Sequence, residues 1–166
     1  GRTDVDQPYI KNSAYRQKKT PIKILGNKKP IKILIASHSF YDSPHGLGMS
    51  LFPDFLEWLE FLGEISNQTD YEWYIKTHPG IDILDQKTID DFVSRFEKII
   101  LIPNMTSHHQ LIDEGINIVL TIHGSIGIEY AAKNITVINS SMNNPHISYD
   151  FNIHSKSKEE LKNIIF

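Results

Sequence analysis

Five of the eight histidines of this chain, His38, His45, His78, His123 and His146, fall in loops that follow short apolar, β-branched runs. An imidazole at a strand end can hydrogen-bond a phosphate and take up part of its charge, because its ordinary pKa lies near neutrality. The neighbours of these histidines suit the same chemistry. In His123-Gly124-Ser125 the glycine allows close approach of the backbone to a ligand. A helix starting behind it would offer N–H groups and a partial positive charge, the ordinary make-up of an anion site. Ser125 adds a hydroxyl. Glu129 lies one turn further along the same face, where a carboxylate suits a ribose diol better than a phosphate. The plainer alternative for this stretch is a tight turn with a serine N-cap and a solvated glutamate.

In Thr77-His78-Pro79-Gly80 the proline holds the preceding histidine extended and aims it from a strand end toward a cleft. His45-Gly46-Leu47-Gly48 is a glycine-containing loop that resembles a phosphate loop only loosely. It lacks the Gly-Lys-Ser/Thr of a P-loop and is not Gly-x-Gly-x-x-Gly. Ser140-Ser141, through to Pro145-His146, form one more polar strand-end loop. His108-His109 lacks a third ligand at metal spacing. Asp113-Glu114-Gly115 reads as a helix end rather than a catalytic acid pair. No Gly-x-Ser-x-Gly elbow is present.

These loops need elements to hold them. Residues 31–37 (IKILIAS), 71–76 (YEWYIK), 98–102 (KIILI), 116–122 (INIVLTI) and 135–139 (ITVIN) read as strands. Between them run amphipathic patterns. Phe52, Phe55, Leu56, Leu59, Leu62 and Ile65 recur at helical spacing. Ile89, Phe92, Val93 and Phe96 follow a Thr88-x-x-Asp91 start, Ser107-x-x-Gln110 opens a short helix that Gly115 stops, and a further helix runs from the Gly-Ser turn through Lys133. Ser157-x-x-Glu160 opens the last, Glu159–Phe166. Strict alternation of this kind means an α/β fold: a Rossmann-like parallel sheet of about five strands with helices on both faces. In such sheets ligands bind beyond the carboxyl ends of the strands, where the loops above lie. Residues 1–30, polar, basic and broken by Pro8, Pro21 and Pro30, read as an arm or linker with at most one short strand around Ile22–Leu25, and residues 31–166 as the domain.

Composition narrows the class further. There is no cysteine, which excludes disulfide scaffolds, zinc ribbons, iron–sulfur sites and a cysteine nucleophile. A formal charge of −3 argues against a nucleic-acid binder. No apolar run approaches the roughly 18 residues of a membrane span. The chain begins Gly-Arg rather than Met, from which a piece of a longer protein is expected.

A strand ending in KTHPG, then DEGINIVLTIHGSIGIEYAA followed by ITVINSS, resembles the carboxyl-terminal, donor-binding half of bacterial surface-polysaccharide transferases with the B-type glycosyltransferase fold, the capsule-synthesis and teichoic-acid polymerase-like group. The resemblance covers roughly residues 31–166. It implies that His78 contacts the donor phosphate as the catalytic residue, that Gly124 and Ser125 cradle phosphate, and that Glu129 binds ribose or sugar hydroxyls. Around them His45, Gly46, Gly48, Thr77, Pro79, His123, Ser140 and Ser141 complete the nucleotide- and phosphate-binding set. It further implies a nucleotide-sugar or polyol-phosphate donor. No cofactor or metal is expected, because a helix dipole and a histidine can stabilise the departing phosphate charge. The polysaccharide or lipid-linked acceptor would be held by a second, amino-terminal half, in the cytoplasm or at the inner face of the membrane. The alternatives are a non-catalytic nucleotide or sugar-phosphate module and half of a nucleotide-sugar epimerase.

Overall fold

The computed structural model describes residues 17–40, 50–78 and 81–166. The strands are β1 (Lys32–Ala36), β2 (Glu72–Lys76), β3 (Ile99–Ile102), β4 (Ile118–Thr121), β5 (Thr136–Asn139) and β6 (Ile153–His154). The helices are α1 (Phe55–Gln68), α2 (Ile83–Arg95), α3 (His108–Asp113), α4 (Ile126–Ala131) and α5 (Lys158–Ile165). The sheet runs β3-β2-β1-β4-β5-β6, and every pair is parallel. This is the Rossmann-like α/β architecture expected, with one strand more. β6 escapes a periodicity reading because it has only two residues, paired with Ile138 and Asn139.

Side chains alternate across each strand, so the sheet feeds two cores. Ile33, Ile35, Trp73, Ile75, Leu120 and Ile138 pack with Phe55, Trp58, Leu59 and Leu62 of α1, Ile89 and Phe92 of α2, and Leu161 and Ile165 of α5. Leu34, Ala36, Tyr74, Val119 and Val137 pack on the other face with Leu111 of α3 and Tyr130 of α4. Both indoles are hydrogen-bonded, Trp58 Nε1 to Ser140 Oγ and Trp73 Nε1 to Thr69 Oγ1, each at 2.9 Å.

Two of the expected helix starts differ. α2 begins at Ile83, five residues before Thr88, capped by Asp82, whose Oδ1 accepts from the Asp85 N–H at 2.8 Å. Thr88 instead lies within the helix and donates to the Leu84 carbonyl. Exposed Ile83 and Leu84 fill the first turn, and that hid the start from an amphipathic reading. At α3, Ser107 makes no side-chain cap. Gln110 is drawn away to Thr20, Ile22 and Glu114. The Ser157 cap of α5 is present, accepting from the Glu160 N–H at 3.0 Å.

Residues 17–30 contain no strand but are tied to the amino ends of the strands. Glu114 Oε2 accepts from the Ile24 and Leu25 N–H groups at 2.9 and 2.6 Å. Glu72 Oε1 accepts from Lys28 and Lys29, and the Tyr74 hydroxyl from Gly26. Leu25 is 3% exposed and joins the second core. Desolvation alone would raise the Glu114 carboxyl. The Leu25 N–H, the Gln110 side chain, the Ile24 N–H and the charge of Lys23 outweigh it and hold the group below the ordinary carboxylate value. A depressed carboxylate stabilises the fold above its unfolded pKa, and that contribution is lost as pH falls through the folded one. Glu114→Ala should therefore cost about 1–3 kcal/mol in urea unfolding at pH 7, the cost of leaving buried donors unsatisfied. The difference from wild type should shrink as the pH is lowered below the carboxylate range. An equal difference at all pH values would contradict this account.

Candidate functional site

The strand order reverses between β1 and β4, whose connections leave in opposite directions, and a crevice opens at their carboxyl ends. A cleft of about 320 Å³ lies there. From the end of β1 come Ala36, Ser37 and His38; from β2, Lys76, Thr77 and His78; from β4 and its turn, Thr121, His123, Gly124, Ser125 and Ile126; and from α3, His108. The described lining thus holds one lysine, four histidines and four hydroxyl-bearing residues, with no aspartate or glutamate. On a chain with net charge −3 that local composition favours an anion.

Thr77, His78, His123, Gly124 and Ser125 are therefore brought together as expected. Glu129 does not line the cleft; its charge is felt instead by Tyr130, on the second core. Ser140 and Ser141 are 0% and 2% exposed and also lie outside the lining. Ser140 receives the Trp58 indole N–H, and Ser141 closes a local turn with Asn143. His45, Gly46, Gly48 and Pro79 lie outside the described residues.

The turn after β4 differs from the helix end anticipated. α4 is six residues long and stops before Lys133; Asn134, at φ 59°, carries the chain out of it. Ser125 has helical backbone angles and no capping hydrogen bond. The Gly127 and Ile128 N–H groups are already taken by the carbonyls of Gly124 and Ser125. A turn this tight has little dipole to offer, so the attraction for an anion rests mainly on side chains. Gly124 is required for another reason. A Cβ there would sit 3.0 Å from Thr121 Oγ1 and 3.3 Å from His38 Cε1.

His38, Lys76 and His108 are cleft residues that motif reasoning left unassigned. The sequence places His38 at a strand end but assigns it no role, since a lone histidine there carries no motif. Its ring stacks on Phe55, centroids 4.9 Å apart, and lies 4.6 Å from that of His123. Nε2 accepts from the Ile122 N–H at 3.3 Å, so the neutral ring carries its proton on Nδ1. Thr121 Oγ1, itself accepting from the Gly124 N–H, lies 3.1 Å from Nε2. Burial, then the neighbouring His123 and His78, push His38 down to about 3. His108 Nδ1 lies 2.7 Å from the buried Tyr130 hydroxyl. Burial, then Lys76 and His109, bring it to about 3 as well. Burial and the charge of Glu129 push the Tyr130 phenol far above its usual range.

Lys76 follows Tyr74 by two residues and so faces the same side of the sheet, toward α3. It is 4% exposed, donates to the Asn104 carbonyl, and burial lowers its amine to about 8. His146, 2% exposed, supports the turn from beneath, with Nε2 3.2 Å from the Gly124 carbonyl. His109 is exposed, whereas His108 is buried, and among the described residues no group of three or more His, Asp or Glu is placed to hold a metal ion. No helix among them is long and apolar enough to cross a membrane.

No family model and no curated protein sequence matches the chain. Among solved structures, the fold is similar to that of a UDP-GlcNAc 2-epimerase from Methanocaldococcus jannaschii, with a TM-score of 0.55 and 15% identity over 82% of this chain. At that identity the likeness is one of fold. The chain spans 38% of the length of that protein.

Two measurements check the geometry of the site. In a proton NMR titration, His38 and His108 should stay neutral between pH 8 and 5, and a midpoint above 5 for either would contradict its burial. The sign of the linkage follows. A histidine with a depressed folded pKa lends stability that is complete above about 6.5 and is lost as pH falls toward 3, because the unfolded chain binds the extra protons. Gly124→Ala should destabilise by about 1–3 kcal/mol in chemical denaturation, through displacement of Thr121 and His38. An unchanged midpoint would show that the contact relaxes without cost.

Proposed function

We propose that this chain binds the phosphate groups of a nucleotide-activated donor, a sugar or polyol phosphate, and forms the donor half of a glycosyltransferase-type enzyme of bacterial cell-surface polysaccharide synthesis. The observation that carries the reading is a switch-point cleft whose described lining holds Lys76, His38, His78, His108 and His123 and no carboxylate. His78, exposed at the end of β2, is the residue assigned to the departing phosphate. Thr77, Ser125 and His123 supply further donors, and Gly124 lets the ligand approach the backbone. In the displacement the bond between the transferred centre and the donor phosphate breaks, and the nucleotide leaves with the electron pair. The acceptor oxygen bonds to the transferred centre and gives its proton to a base. In this reading the described imidazoles serve the leaving phosphate, and the base comes from the acceptor-binding half, as the resemblance implies. Preorganised donors around the leaving phosphate lower the barrier by stabilising developing charge. No role is assigned to Glu129, Ser140 or Ser141, given where they lie. The acceptor, a polysaccharide or lipid-linked chain, and a location at the inner face of the membrane belong to the same proposal.

A second reading has one observation in its favour, the likeness in fold to a UDP-GlcNAc 2-epimerase. An epimerase would need the same donor cleft but would return an altered nucleotide sugar without any acceptor. Titration of CMP, UDP, GDP and CDP-glycerol against the wild type should reveal one that binds. His78→Ala should weaken that one about tenfold or more, the size of one hydrogen bond to a charged group at about 1.5–3 kcal/mol. If none binds at millimolar concentration, both readings fall. If His78→Ala binds as well as wild type, His78 has no part in holding phosphate.

A further inference from the structure

Two lysines are buried in the sheet, on the same face and at opposite ends. Lys32, 5% exposed, opens β1 and bonds the Glu114 carbonyl, with its charge felt by the Glu72 carboxylate. Lys76, 4% exposed, closes β2 and bonds only a neutral carbonyl, that of Asn104. The ion pairs among the described residues are Lys19–Asp113, Lys29–Asp70, Arg95–Glu60 and Lys158–Glu57, and Lys76 enters none of them. A buried charge without a counter-charge is costly, and a methionine would fill the same space without that cost. Beside it, Ser37 donates its backbone N–H to the Lys76 carbonyl, while its hydroxyl oxygen is buried with no hydrogen-bond partner among the described residues. Both residues line the cleft.

We propose that Lys76 and Ser37 form an anion subsite on the floor of the cleft, which takes a phosphate dianion as the missing counter-charge of the lysine and the missing partner of the serine. This rests on the reading of the cleft as a donor site and says which residues carry its phosphate. The ammonium has two donors left after Asn104, and the serine hydroxyl one. Among the described residues, the groups facing the subsite are His38 after β1, His78 after β2, His123 after β4 and His108 on α3, with His109 behind it. None of them supplies a negative charge. Burial holds the lysine near 8, so a dianion arriving beside it restores the full positive charge and draws a proton from solution.

Calorimetry with inorganic phosphate at pH 8.5, where phosphate is already a dianion, in two buffers of different ionisation enthalpy, tests this on the whole chain. Wild type should bind with net proton uptake. Lys76→Arg, charged at every pH, should bind phosphate without that uptake. Lys76→Met should bind at least tenfold more weakly, yet show a higher unfolding midpoint without ligand, because an unpaired buried charge has been removed. Ser37→Ala should weaken binding severalfold and needs no rearrangement to fold, so it keeps the test open if the arginine does not fit. Phosphate binding to Lys76→Met as tight as to wild type, or no phosphate binding to wild type at tens of millimolar, overturns the proposal. The same titrations with UDP and CDP-glycerol separate the two readings. Lysine-dependent phosphate binding without nucleotide binding leaves the subsite standing and removes the donor assignment. Equal nucleotide binding by wild type and Lys76→Met does the reverse.

Discussion

Ile33 and Ile35 point to one side of β1, Leu34 and Ala36 to the other, and all four are buried. A central strand with two dry faces cannot stand at the edge of anything. It must be paired on both sides and covered on both sides. β2 and β4 supply the pairing; α1, α2 and α5 cover one face, α3 and α4 the other. Parallel pairing then sends every connection back across the layers, and the loops at the carboxyl ends are left to surround a crevice where the order reverses. The cleft is thus a consequence of how β1 is buried.

The two ends of the sheet are electrostatically unlike. At the amino ends, Glu72 and Glu114 accept backbone N–H groups from residues 24–29 and bind that segment to the domain. At the carboxyl ends the described lining has no carboxylate, and a buried lysine meets histidines held neutral by burial. Neutral imidazoles cost little to bury and still donate a hydrogen bond. Lys76 is then the charge at this end, and the imidazoles around it stay neutral without ligand and still receive one. The formal charge of −3, summed over the chain, conceals this division.

Where the sequence misled, a tertiary contact or a stronger local cap had overruled the motif. Thr88-x-x-Asp91 looks like a helix start, but Asp82 caps the helix earlier, with exposed Ile83 and Leu84 obscuring the pattern. Ser107-x-x-Gln110 looks like a box, but Gln110 serves the incoming segment at Thr20 and Ile22. Ser125 looks like a cap, but the turn there is wound tightly over His146. Each motif was legible because it is local. The Gln110 and Ser125 motifs failed because the competing partner was tens of residues away, and Thr88 because a better cap stood six residues upstream.

The strand and helix order, the parallel sheet and the placement of His78, His123, Gly124 and Ser125 at strand ends were determined by the sequence alone, since apolar periodicity and turn residues act over a few positions. Only the tertiary structure decided that Glu129, Ser140 and Ser141 stay out of the cleft lining, and that Lys76 and His108 enter it beside the strand-end His38. Those outcomes depend on which strands become neighbours and which side of each strand a residue faces once they do. Lys76 shows the difference most plainly. In the sequence it is one more lysine in KTHPG, and in the fold it is a buried cation with no counter-charge among the described residues.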